Sequence, residues 1–481
     1  MSHANPHRDA GGEAVLFDVP RMAVKPKPRP KAARPPKPPP PPPPLVLPEP
    51  EPHYPVLDGM EEVGSGLLDR FDAMQRVAAS APGGQQLVIA GPGTGKTLVL
   101  TTRIAYLVRE LGVPAAECLA VAFDSRAADE LGVRLTALLG EAAAEVAVTC
   151  YDRLPQILWE YADQPGDPDP ETLLGLLDTD PLLTDRLHAR WPWVFVDDYQ
   201  DVPEIAYRLL RWLCPPEGNL CAAADPDQAV HTDARYALRF AEDYPDGRTV
   251  RLSRSYRSTA PILAAAMQAV APSSLVHRRF LDPARRDEAP ALIGRYAATG
   301  ADDEADFVAR TAGALVTAGL AASDIAVLHR YAPSPESVAT ALTASGVPVA
   351  GGPGARVDAD AGVHAPSGAG AGGGAAAESG GGVTLLTLEA AKGREFPVVF
   401  LTGCTDGVLP DQPAGADPER LAAERRLLFV GLTRARHRLY VSNQAGGGAS
   451  RFLESVDDRL FESLNPPAPA GPSAALQLRL L

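Results

Sequence analysis

Residues 86–97 read Gln-Leu-Val-Ile-Ala-Gly-Pro-Gly-Thr-Gly-Lys-Thr, and this stretch decides the fold. Gln86–Ala90 is an apolar run of strand length, and Thr97–Leu111 carries helical spacing. Between them lies the phosphate-loop spacing, with Ala90 at its first position. Gly91, Gly93 and Gly95 let backbone N–H groups approach a β-phosphate without side-chain clash. Lys96 reaches the β and γ oxygens, and the Thr97 hydroxyl can ligate Mg²⁺. The whole run, including Pro92 and Thr94, is therefore expected to hold ATP, helped by the helix N-terminus behind it.

Such a loop needs a metal-holding carboxylate at the end of a neighbouring strand. Residues 194–201, Val-Phe-Val-Asp-Asp-Tyr-Gln-Asp, supply one: an apolar strand delivers Asp197 to Mg²⁺, and Asp198 is placed to orient the attacking water. Further apolar runs at Cys118–Phe123 and Leu220–Ala224, and later at Ile325–His329, Val383–Leu388, Val398–Gly403 and Arg438–Ser442, alternate with helical segments. That alternation predicts an α/β fold with parallel sheets covered by helices on both faces, the first run binding its ligand at the carboxyl ends of its strands.

Composition sets the limits. A formal charge of −15 over 481 residues argues against a generally basic protein that coats nucleic acid, while leaving room for a local basic groove. Five cysteines (118, 150, 214, 221, 404) without Cys-x-x-Cys spacing suit reduced thiols in a cytoplasm. No apolar run reaches membrane-spanning length, so neither a membrane span nor a signal peptide is expected. Beyond residue 45 the only lysines are Lys96 and Lys392; elsewhere positive charge is written as arginine. Each should stand where a compact ammonium is required.

Residues 1–55 contain seven consecutive prolines, Pro38–Pro44, and read as a disordered polyproline II arm able to meet a protein partner. Residues 56–248 form the expected first domain and 249–465 the second, followed by a tail over 466–481. The second is interrupted at 351–382, where 21 of 32 residues are Gly or Ala, the composition of a flexible linker.

The string Asp197-Asp-Tyr-Gln-Asp201, about a hundred residues after the loop, resembles the Asp-Glu-Phe-Gln-Asp motif of superfamily 1 helicases of the UvrD/Rep/PcrA type. The family's other motifs follow in order. Gln75, in Phe71-Asp-Ala-Met-Gln-Arg76, resembles its adenine-reading glutamine; Phe123 and Tyr151 fall in its strand-contacting motifs. Residues 225–230, Asp-Pro-Asp-Gln-Ala-Val, match the motif whose glutamine, here Gln228, links γ-phosphate to the strand, with His231 following as a stacking residue. Tyr256-Arg-Ser-Thr259 implies adenine stacking by Tyr256 and γ-phosphate contact by Arg257. Thr387–Phe396 implies a ribose-binding Glu395 and a phosphate-proximal Lys392, and Val430–Ala435 an arginine finger at Arg434.

The resemblance spans residues 60–445 and implies two RecA-like domains with ATP–Mg²⁺ between them, acting on single-stranded or partly duplex DNA with 3′-to-5′ polarity. Departures point to an alternative, a nucleotide-gated interaction or DNA-repair accessory module that unwinds weakly or not at all. Asp198 is one methylene shorter than the family's glutamate; Asp233 stands at a tryptophan position and Glu389 at a histidine position. The family's two inserted subdomains would fall at 152–191 and 351–382, where little chain is available.

Overall fold

The computed structural model describes residues 66–167, 169–230, 232–285, 291–331, 334–350, 381–411, 417–445 and 447–465. The chain parts into two units, Met1–Asp58 and Gly59–Leu481, and all described residues belong to the second. The proline-rich arm, residues 351–380 of the expected linker, His231 and the tail 466–481 lie outside the described residues.

Among the described residues fourteen strands, β1 (Gln85–Ala90), β2 (Cys118–Ala122), β3 (Ala147–Cys150), β4 (Trp193–Val196), β5 (Asn219–Ala224), β6 (Arg248–Leu252), β7 (Arg254–Ser255), β8 (Asp282–Pro283), β9 (Ile293–Ala298), β10 (Ile325–His329), β11 (Thr384–Thr387), β12 (Phe396–Leu401), β13 (Ala435–Gln444) and β14 (Phe461–Ser463), form three sheets. The first large sheet runs β3-β2-β4-β5-β1-β6 and the second β11-β10-β12-β13-β9-β14. Every pairing within both is parallel. The two parallel sheets expected from the alternation, RecA-like as the resemblance implies, are therefore present, although β3, β6, β9 and β14 exceed what the apolar runs announced.

Both faces of each sheet are buried, and side-chain alternation assigns them. In β4, Val194 and Val196 join the apolar cluster around Leu209 and Phe240, while Phe195 points to the opposite cluster around Ile104 and Leu131. In β12, Val399 and Leu401 face Phe429, and Val398 and Phe400 face Phe307. Strands buried on two sides need continuous apolar runs, which is why they were visible in sequence.

One boundary differs from expectation. The division at 248–249 runs through β6, which pairs with β1 from Gln86↔Arg248 to Ala90↔Leu252 and so belongs to the first sheet. Pairing between residues 162 positions apart leaves no local trace in the sequence. The stretch 152–191 holds three short helices, Leu154–Tyr161, Pro170–Thr179 and Pro181–Arg190. Their Leu158, Leu173, Leu177 and Leu187 join the same cluster as Leu209 of the helix Glu204–Leu213. Around residues 351–380 the flanking chain closes on itself: Val349 and Val383 form a parallel bridge, and Ala350 N–H donates to the Val383 carbonyl. No helix among the described residues is long and apolar enough to cross a membrane.

Candidate functional site

The phosphate loop leaves β1 at Ala90 and enters the helix Lys96–Arg109. Gly95 caps that helix at φ 88° and ψ 34°, and Gly93 lies at φ 72°, backbone settings that glycine adopts without strain. At Gly93 space is also limiting, since an added Cβ would stand 2.4 Å from Arg257 Cβ. The end of β7 and the residue after it rest directly on the loop: Tyr256 N–H donates to the Gly93 carbonyl at 2.9 Å and the Ser255 hydroxyl to the Pro92 carbonyl at 2.9 Å.

Beside the loop, β4 ends in the acidic pair. The Thr97 hydroxyl donates to Asp197 Oδ2 at 2.5 Å. Burial, reinforced by the neighbouring Asp198 carboxylate, pushes Asp197 up to about 6. Asp198 sits in the left-handed region at φ 50° and ψ 43°. Its own burial works to raise it, but Lys392, Lys96, the Gln200 amide and Arg434 outweigh that and hold it below the usual carboxylate range. Gln200 ties the acidic motifs together: its Nε2 donates to Asp198 and Asp201, and its Oε1 accepts from Asp225 N–H at 2.9 Å.

The second lobe closes the site with the opposite ends of its strands. Glu395 and Arg434 immediately precede β12 and β13, so the second sheet meets the site at the amino ends of its strands. Only the first sheet uses carboxyl ends. The Arg434 Nη2 donates to Gln228 Oε1 at 3.1 Å, Nη1 to the Arg394 carbonyl and Nε to the Val430 carbonyl. Arg257 pairs with Glu395 at 2.5 Å. Burial pulls Lys96, Arg257 and Arg434 below their ordinary values, Arg434 to about 9 with Arg257 adding to the effect. Three desolvated cations converging on a glycine-rich loop fit a polyphosphate, and Thr97 with Asp197 fits a divalent cation beside it.

The structure assigns other side chains to unexpected partners. Gln75 is buried; its Nε2 donates to the Thr94 carbonyl at 2.9 Å and its Oε1 accepts from Asp72 N–H, so it braces the loop from beneath. Tyr256 presents a ring 42% exposed, and its hydroxyl donates to Asp72 Oδ2 at 2.8 Å. Tyr151, expected against a strand, is 3% exposed and spends its hydroxyl on the Asp197 and Asp198 carbonyls at 3.0 and 3.2 Å. Its phenol thus supports the acidic loop from behind. Lys392, expected near phosphate, pairs with Asp201 and lies over the Phe123 ring at 5.1 Å. Asp233 is exposed and paired with Arg235, and Glu389 with Arg330.

Two residues were missed. Gln200 sat unremarked within a quoted motif. Arg279 carried no local signal: it lies among three nearby arginines or histidines, His277, Arg278 and Arg279, and only the fold turns it inward to Asp225 and Asp227.

Comparison with known proteins agrees with this geometry. The UvrD/REP helicase N-terminal domain family matches residues 71–164 and 158–242, and the UvrD-like helicase C-terminal domain family matches 375–446. The ATP-dependent DNA helicase UvrD1 of Mycobacterium tuberculosis is 25% identical over 667 residues, covering 82% of this chain and 86% of that protein. UvrD2 of the same organism is 26% identical over 576 residues, covering 81% and 82%. A putative ATP-dependent DNA helicase, YjcD of Bacillus subtilis, is 24% identical over 364 residues, covering 57% of this chain and 48% of that protein.

Proposed function

The chain belongs to the UvrD/Rep helicase family, and from that premise we propose that it hydrolyses ATP between its two lobes and couples turnover to single-stranded DNA. The hydrogen bond from Arg434 to Gln228 across the lobes carries this reading. It makes the geometry around the γ-phosphate depend on the distance between the two sheets, which is how hydrolysis becomes linked to motion.

In this reading Lys96 grips the β and γ oxygens, and Arg257 and Arg434 neutralise charge that develops on the transferred group. Asp198, held anionic by the cations around it, accepts a hydrogen bond from the attacking water. Thr97 and Asp197 would hold Mg²⁺, which when bound adds positive charge against the same oxygens. Tyr256 offers its exposed face to the adenine ring, and Asp72 fixes the tilt of that face. In this reading Phe123 stacks on a base once Lys392, which lies over its ring, moves aside. The relatives' description as DNA helicases supports DNA as the substrate, with 3′-to-5′ movement implied by the family alone.

The test is an ATPase assay on purified protein, with and without single-stranded DNA, using Lys96→Ala as the inactive control. Stimulation of several fold is expected; no stimulation, together with no binding of a labelled oligonucleotide at low salt, would sink the DNA-motor reading. A nucleotide-gated module of low turnover is the second reading, favoured by the covered Phe123 ring and the short Asp198. It predicts ATP binding with turnover that DNA leaves unchanged.

A further inference from the structure

Arg279 is placed where no described motif accounts for it. Its side chain is 6% exposed, and its two carboxylate partners, Asp225 and Asp227, are fully buried. Nη1 donates to Asp225 Oδ1 at 2.6 Å and to Asp227 Oδ2 at 2.7 Å, while Nη2 donates to Asp225 Oδ2 at 2.8 Å. Such a fork fixes a carboxylate in both position and plane, which a point charge does not.

The consequence falls on Gln228. Asp225 Oδ2 also accepts from Gln228 Nε2 at 2.5 Å. An ionised carboxylate only accepts and a guanidinium only donates. An amide lying between Asp225 and Arg434 therefore has one orientation that satisfies both: nitrogen toward Asp225, oxygen toward Arg434. The chain of contacts runs Asp227, Arg279, Asp225, Gln228, Arg434. Arg279 also lies 5.0 Å over the Phe429 ring, on the helix Pro418–Leu432 that delivers Arg434. It thus touches first-lobe carboxylates and the second-lobe helix at once.

Resting on the ATP-hydrolysing reading above, we infer that Arg279 is a positioning residue for γ-phosphate sensing. By locking Asp225 it sets the Gln228 amide so that its oxygen engages Arg434 when the lobes close. Without Arg279, Asp225 can rotate, the amide can flip, and Gln228 presents an N–H to a guanidinium that cannot accept it. Nucleotides with a γ-phosphate then lose their advantage, while those without one are bound as before.

The experiment measures affinity for a non-hydrolysable ATP analogue and for ADP, each with Mg²⁺, by displacement of a fluorescent nucleotide from the full chain. Wild-type protein, Arg279→Gln, Arg279→Lys, Gln228→Ala and the Arg279→Gln/Gln228→Ala double variant are compared. Loss of a hydrogen bond to a charged group corresponds to roughly a tenfold change or more. Arg279→Gln is expected to cut the triphosphate-over-diphosphate preference about tenfold, with ADP affinity within threefold of wild type. Arg279→Lys should fall between, and the double variant should lose no more than Gln228→Ala alone.

Several results would overturn the inference. These are an unchanged preference in both Arg279 variants, losses that multiply in the double variant, equal weakening of both nucleotides, or a wild-type protein without any preference. If Arg279→Gln does not fold, Arg279→Lys alone decides between a lowered and an unchanged preference. Because the readout is binding, a wild-type protein that DNA fails to stimulate removes the motor reading without affecting this result.

Discussion

The Lys392 ammonium of the second lobe is paired with the Asp201 carboxylate of the first, its side chain 9% exposed and that of Asp201 fully buried, and it lies over the Phe123 ring at 5.1 Å. One of the two lysines beyond the proline-rich head thus joins the lobes and covers an aromatic face. Removing either partner strands a buried charge, which costs about 3–5 kcal/mol. Lys392→Met and Asp201→Asn are each expected to lower stability by that order in urea unfolding, and the double variant by clearly less than their sum. Additive losses would show that the two charges are not coupled.

Asp198 adopts a left-handed backbone at φ 50°, a setting that aspartate tolerates better than longer residues. Asp198→Glu should therefore trade stability for reach. The added methylene brings the carboxylate nearer the attacking water and raises kcat by about tenfold, while backbone strain costs about 1 kcal/mol. Steady-state ATPase and thermal melts read the two effects separately. A fall in kcat would mean that the shorter side chain is the better fit for this loop.

In the proposed reading the Tyr256 ring stacks on the adenine, and Asp72 holds its hydroxyl. An aromatic stack contributes about 1 kcal/mol beyond area burial, so Tyr256→Ala should weaken ATP binding by roughly tenfold while kcat changes less than about twofold. Tyr256→Phe keeps the ring and should retain most of the affinity. If the alanine variant binds ATP as tightly as wild type, the ring has another role.

His329, at the end of β10, is buried, and burial pulls its imidazole from 6.5 down to about 4. The unfolded chain takes up this proton below about pH 6.5, whereas the folded chain waits until about pH 4. Stability from this group is therefore complete above pH 6.5 and is lost as pH falls toward 4, by about 3 kcal/mol over that window. In His329→Leu the urea midpoint should change less between pH 7.5 and pH 5 than in the wild type. Equal slopes in the two proteins would assign the acid sensitivity elsewhere.

Much of the molecule was legible because its signals are local. Phosphate-loop spacing reports itself within eight residues, and strands buried on two faces must be apolar throughout, so Cys118–Ala122 and Trp193–Val196 stood out. The short strand Ala147–Cys150 did not, because four residues at a sheet edge differ little from a loop. The boundary at β6 was hidden for another reason, since strand membership is decided by the partner, β1, and not by the strand itself.

By itself, then, the sequence determined the loop Ala90–Thr97, the acidic pair at the end of β4 and the existence of two parallel α/β lobes. Backbone geometry and apolar burial impose those patterns on neighbouring residues. Only the tertiary structure decided how polar side chains are employed. It turned Tyr151 behind the acidic loop, set Gln75 beneath the phosphate loop, gave Lys392 to Asp201, brought the amino edge of the second sheet to the site, and buried Arg279 on Asp225. The physical reason is that a long polar side chain has several partners within reach, and burial leaves it the one that satisfies both groups.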